Sequence, residues 1–81
     1  MATGVIQRPG EVMDAYFLEM RAKLIEIAAT LDRLDRANAA HGAEAIPPTD
    51  ARLVFVHKAL EVLKSDAGNR AELIQRLYSK T

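Results

Sequence analysis

The sequence predicts an all-α fold: a three-helix domain with one long N-terminal helix and two shorter helices packed back along it. Three observations carry that reading. Apolar residues recur at steps of three and four rather than alternating, which is the period of a helix buried on one side. No stretch shows the two-residue alternation of a strand, and there is no internal repeat or low-complexity segment. Turn-forming residues cluster in two places, "AAHGAEAIPP" and "SDAGN", which divide the chain into three helical segments.

Residues 1–8 are mixed in composition and aperiodic, and are expected to form a flexible tail. Residues 9–81 are read as a single helical domain, with helices over about 9–40, 50–65 and 70–79. Pro9 suits the first turn of a helix, where its missing N–H costs nothing. From there to Ala40 no proline intervenes, and Ala, Leu, Glu, Arg and Met dominate. Gly42 is expected to supply a left-handed cap, and Pro47 and Pro48 bar continuation. Thr49 or Asp50 should cap the second helix. Asn69 and Glu72 have capping-box spacing, which places the start of the third helix.

Helix one carries two apolar stripes. Met13, Phe17, Met20, Leu24, Ile27, Leu31 and Leu34 follow at alternating steps of four and three, the pattern of a seam between helices crossing at a shallow angle. Leu18, Ala22, Ile25 and Ala29 form a second, thinner stripe nearly on the opposite face, about 150° away at 100° per residue. Leu53, Val56, Leu60 and Leu63 on helix two, and Ile74 and Leu77 on helix three, are expected to complete the core with the first stripe. Phe55, Ala59 and Val62 lie beside the former set, and Leu73 and Tyr78 beside the latter. The second stripe then has no partner in the chain, and it is the candidate interface. Two alanines would let another helix come close, and an exposed apolar patch on a small protein marks an interaction site. The competing arrangement is a bundle in which helix one is central and touches both neighbours.

Size argues in the same direction. A chain of 81 residues buries only about 60% of its unfolded surface, and small domains compensate with disulfides, a metal or a partner chain. There is no cysteine, which removes disulfides and thiolate zinc sites and fits a reducing cytoplasm. Eleven basic residues balance eleven acidic ones, so no net field steers the chain to nucleic acid or an anionic membrane. Residues 11–40 carry six acids and four bases, and residues 50–81 the reverse, a slight complementarity. The start of the chain has no basic-then-apolar signal pattern, and no apolar run reaches the roughly 18 residues of a membrane span. A cytoplasmic location is expected.

Chemistry is harder to find. His41 and Glu44 stand three apart and His57 and Glu61 four apart, but the Glu-x-x-His pairs of helical metal sites are missing. His57–Glu61 reads as a surface pair, and His41 as a residue suited to a helix C-terminus. Asp32–Arg36 and Glu19–Lys23 are acid-to-base pairs at the spacing that supports a solvated face. The serines and threonines have no base beside them in sequence, and the glycines are scattered rather than gathered into a phosphate loop. The sequence therefore predicts no catalytic residues, cofactor or metal. It predicts a small protein–protein interaction or oligomerisation domain, acting as a homodimer or docking on a larger partner. The alternative is a helix-turn-helix-like DNA-binding regulator in which helix three presents Arg70, Glu72, Gln75, Arg76 and Lys80 to the groove.

Overall fold

A computed structural model describes residues 6–79. The first five residues of the expected tail, and Lys80, lie outside the described residues. Among the described residues all regular structure is helical. α1 spans Pro9–Ala40, a single 3-10 turn covers Gly42–Glu44, α2 spans Ala51–Lys64 and α3 spans Arg70–Ser79. The chain divides between Ala45 and Ile46 into two compact units, α1 with its turn and the α2–α3 pair.

α1 begins with an unusual cap. Arg8 has extended backbone geometry, and its N–H donates to the Glu11 carboxylate at 2.8 Å. This is half of a capping box, because a guanidinium has no acceptor to offer the helix amides in return. Arg8, expected in the tail, is thus the N-cap residue, and Pro9 follows it in the first turn. At the other end His41 is the C-cap, its N–H donating to the Ala37 carbonyl at 2.9 Å. Gly42 does not take the left-handed conformation expected of it, and no described glycine has a positive φ. The chain instead tightens into a 3-10 turn, with bonds from Glu44 N–H to the His41 carbonyl and from Ala45 N–H to the Gly42 carbonyl. Short-range bonds of this type turn the chain away from the helix end without a left-handed residue.

α2 follows Pro47 and Pro48 through a turn closed by Asp50 N–H on the Pro47 carbonyl, at 3.0 Å. Asp50, one of the two expected caps, does the capping: its carboxylate accepts from the Arg52 N–H at 2.9 Å. The same carboxylate takes the Arg52 guanidinium at 3.1 and 2.9 Å. Three donors on one ionised group favour the charged form, led by the Arg52 side chain, and lower the Asp50 pKa to about 2.

Ser65 ends α2 and shapes the corner into α3. Its hydroxyl donates to the Val62 carbonyl at 2.7 Å and accepts from the Ala67 N–H at 3.3 Å. The Arg70 guanidinium reaches back across the turn to the Ser65 carbonyl, with Nε at 2.9 Å and a second donor on the same oxygen. Asn69 and Glu72 meet, but through side chains, the Asn69 amide donating to the Glu72 carboxylate at 3.3 Å. The reciprocal backbone bonds of a capping box are replaced here, and Glu72 also takes the Arg76 guanidinium.

α2 packs on α3. Leu53, Val54, Phe55, Val56, Ala59, Leu60 and Val62 on one helix, and Leu73, Ile74 and Leu77 on the other, are half-buried. No described residue is fully buried. Phe55 and Tyr78 meet edge to face at 5.6 Å and 71°, a geometry that aligns ring edge and face charges. A half-buried leucine contributes roughly half of what a core leucine does, so Leu60→Ala should cost about 1–2 kcal/mol in urea denaturation. An unchanged midpoint would mean that the α2–α3 contact carries no stability.

Asp50 gives a pH-dependent check. A carboxylate whose folded pKa is depressed contributes stability that is fully present above its unfolded value and lost as pH falls through the folded one. The window here runs from 3.8 down to about 2. The carboxyl carbon signal of Asp50 should titrate near the lower figure, and Arg52→Ala should move it back up. A wild-type midpoint at the ordinary value would show that Arg52 does not hold this carboxylate in solution.

Candidate interaction surface

Taken by itself, α1 is one helix, and one helix has no interior. From Pro9 to Thr30 every residue is exposed. Along the seam read from the sequence, Met13, Phe17, Met20, Leu24 and Ile27 are exposed, from 39% at Ile27 to 57% at Leu24. Leu31 and Leu34, which close that seam, are half-buried, as is Asn38 beyond them. In the second stripe Leu18 is 76% exposed and Ile25 50%, and Ala22 and Ala29 are exposed as well. Val12 and Tyr16 add further exposed apolar surface. The surplus of apolar side chains is therefore concentrated on the first three-quarters of α1, on two opposite faces.

Polar strips run between those faces. Glu19 and Lys23 form an ion pair at 3.1 Å, one helical turn apart. Both side chains are more than half exposed, so the pair contributes a few tenths of a kcal/mol to the helix at most. The Thr30 hydroxyl donates to the Glu26 carbonyl at 2.9 Å, which keeps that polar side chain on its own helix.

In the second unit, Leu53, Val56, Leu60, Ile74 and Leu77 are half-buried, while Leu63 stands 43% exposed at the end of its helix. Sequence periodicity missed Val54, which is half-buried although it lies off the stripe. The signal was the run "LVFV", four apolar residues in succession, which on a helix cover more than one face. One open apolar hollow of about 400 Å³ is lined by Ala51, Arg52, Phe55, Val56 and Tyr78. Its polar rim is the Arg52 guanidinium, already engaged by Asp50.

Groups that would carry chemistry are dispersed. Among the described residues no three His, Cys, Asp or Glu side chains gather as a metal site would require. His41 caps α1 and His57 is exposed on α2. Glu61, the neighbour of His57 in the sequence reading, instead lies 3.8 Å from Lys64. Of the basic residues on α3, Arg70 is bonded to the Ser65 carbonyl and Arg76 to Glu72. No described helix is long and apolar enough to cross a membrane.

No family model, curated protein or solved structure matches this chain.

The engagement of Arg70 and Arg76 sets an expectation for nucleic acid. With one guanidinium strapped over a turn and the other paired with an acid, α3 should show no retention on a duplex column at about 50 mM salt, where phosphate contacts are strongest. Salt-sensitive retention abolished by Arg70→Glu and Arg76→Glu would reverse that expectation.

Proposed function

We propose that this protein is a small interaction and oligomerisation domain whose working element is α1. The observation that supports this most directly is the exposure of α1. Nine large apolar side chains between Val12 and Ile27 are each at least 37% exposed. Water contact on that scale is unfavourable by roughly 25 cal/mol per Å² of apolar surface. A patch of this kind on a small protein is a surface that another molecule covers.

The simplest partner is a second copy of the chain, held through Leu18, Ala22, Ile25 and Ala29. A larger helical partner seated on the same face is the second form of the same reading. The chain has no cysteine with which to staple itself, and the α2–α3 pair is only half-buried, so association would add to a modest stability. The DNA-binding alternative draws less support, because a neutral chain offers little field and the two arginines of α3 already have partners. Among the described residues no cluster of side chains supports a catalytic reading.

The test is solution mass by light scattering over a hundredfold range of concentration. A dimer near twice 8.9 kDa is expected, and Ile25→Glu should convert it to a monomer that keeps its helical circular dichroism. If Ile25→Glu unfolds the chain, Ile25 belongs to an internal core instead. Association also couples stability to concentration. Each tenfold increase adds about 1.4 kcal/mol per dimer and should raise the melting temperature by about 3–5 °C. A melting temperature independent of concentration, together with a monomeric mass, would remove self-association as the function.

A further inference from the structure

Resting on the reading of α1 as the interaction helix, we infer that two copies pair antiparallel across the Leu18/Ala22/Ile25/Ala29 face, Glu11 of each opposite Arg36 of the other.

The face is longer than its apolar middle. Glu11, Ala15, Leu18, Ala22, Ile25, Ala29, Asp32 and Arg36 follow each other at alternating steps of four and three. All lie within α1, and at 100° per residue they stay within an arc of about 100°. They form one continuous line, opposite to the seam that ends in the half-buried Leu31 and Leu34.

The line is complementary to itself only when reversed. In an antiparallel pair where facing residue numbers sum to 47, Leu18 meets Ala29 of the second copy and Ile25 meets Ala22. Each large side chain then faces an alanine, the alternation that lets two helices interdigitate at close range. Glu11 meets Arg36, an acid against a base at each end, and Ala15 meets Asp32 without a like charge. A parallel pair does the opposite, setting leucine on leucine, alanine on alanine, Glu11 on Glu11 and Arg36 on Arg36. The Glu11 carboxylate already accepts the Arg8 N–H through one oxygen, and its second oxygen retains acceptor capacity for a guanidinium. The flanks weigh against this register, because an antiparallel pair sets each flank on its own counterpart and brings Glu19 beside Glu26, and Asp14 beside Asp35, of the second copy. These positions are exposed, and water and salt screen such pairs.

Position and area agree with this register. Its centre falls between Lys23 and Leu24, beside the midpoint of a helix that runs from Pro9 to Ala40. About 30 residues of each α1 therefore overlap, roughly 45 Å of helix. A strip about 10 Å wide over that length covers on the order of 900 Å² for the two helices together. That lies below the 1,200–2,000 Å² of a stable interface and within the range of weak, concentration-dependent ones. The pairing is accordingly a reversible dimer.

One label settles the orientation. The native chain has no cysteine, so a single spin label on Ala40→Cys, at the exposed end of α1, reports only the distance to its copy. The antiparallel register separates the two labels by 33 residues of rise, about 50 Å, whereas a parallel pair holds them about 10 Å apart. Arg36→Glu, which turns the end pairs into like charges, should weaken the dimer about tenfold while leaving monomer helicity intact. A dimer with the short distance would overturn the antiparallel pairing and leave self-association standing. A dimer with the long distance but insensitive to both Arg36→Glu and Ile25→Glu would move the interface to the Met13–Leu34 seam and overturn this face. A monomer at every concentration would overturn the pairing and self-association together.

Discussion

Helices shield their backbones from water by themselves, but they cannot shield their side chains. Intrahelical bonds satisfy the backbone groups between the terminal turns, and caps serve the ends, yet a lone cylinder about 10 Å across has no place to hide a leucine. Every other feature of this chain follows from that limit. α1 extends over 32 residues, and taken by itself it leaves its leucines, methionines and isoleucines exposed from one end to beyond its middle. The α2–α3 pair does better because two helices joined by a short turn can lean on each other. Even there, burial stops halfway, because each helix of a pair can turn only one face to its neighbour.

The corner between α2 and α3 compensates for modest packing with dense polar bonding. Ser65 uses its hydroxyl in both directions, and its carbonyl is held by Arg70 from across the turn. These bonds fix where α3 departs, so Leu73, Ile74 and Leu77 return to the same side as the apolar run of α2. The edge-to-face contact of Phe55 and Tyr78 then closes the opposite end of the pair. At the start of α2, Asp50 serves the helix and the Arg52 side chain at once, and the ionised carboxylate is favoured by both.

The helical content was legible because its signals are local. Pro9, the proline pair at 47 and 48 and Asp50 act over one turn or less, and apolar steps of three and four recur over 22 residues of α1. Finer local geometry was less legible where two local solutions compete. Gly42 permits a left-handed cap, but the chain can instead turn into a 3-10 segment bonded to the His41 and Gly42 carbonyls, and the glycine alone does not choose between them. Asn69 and Glu72 were correctly brought together by spacing, while the bond between them depends on side-chain rotamers that spacing does not specify. Arg8 looked like tail because caps are recognised by acceptor side chains, and here the acceptor comes from Glu11 instead. The two stripes of α1 were visible in sequence, but periodicity reports which residues share a face and says nothing of what lies opposite.

The short turn between α2 and α3 also has a consequence in time. Helices of this length form within about a microsecond, and closing a loop of several residues takes tens of nanoseconds. The α2–α3 pair closes over Ser65–Asn69, so the residues beside the turn meet over a short loop, and the contact between Phe55 and Tyr78 at the far end follows as the helices align. Chains dominated by such near-neighbour contacts reach their fold in microseconds to milliseconds. Within this unit, the turn lets order form quickly, starting from the residues beside Ser65–Asn69 and spreading outward to Phe55 and Tyr78.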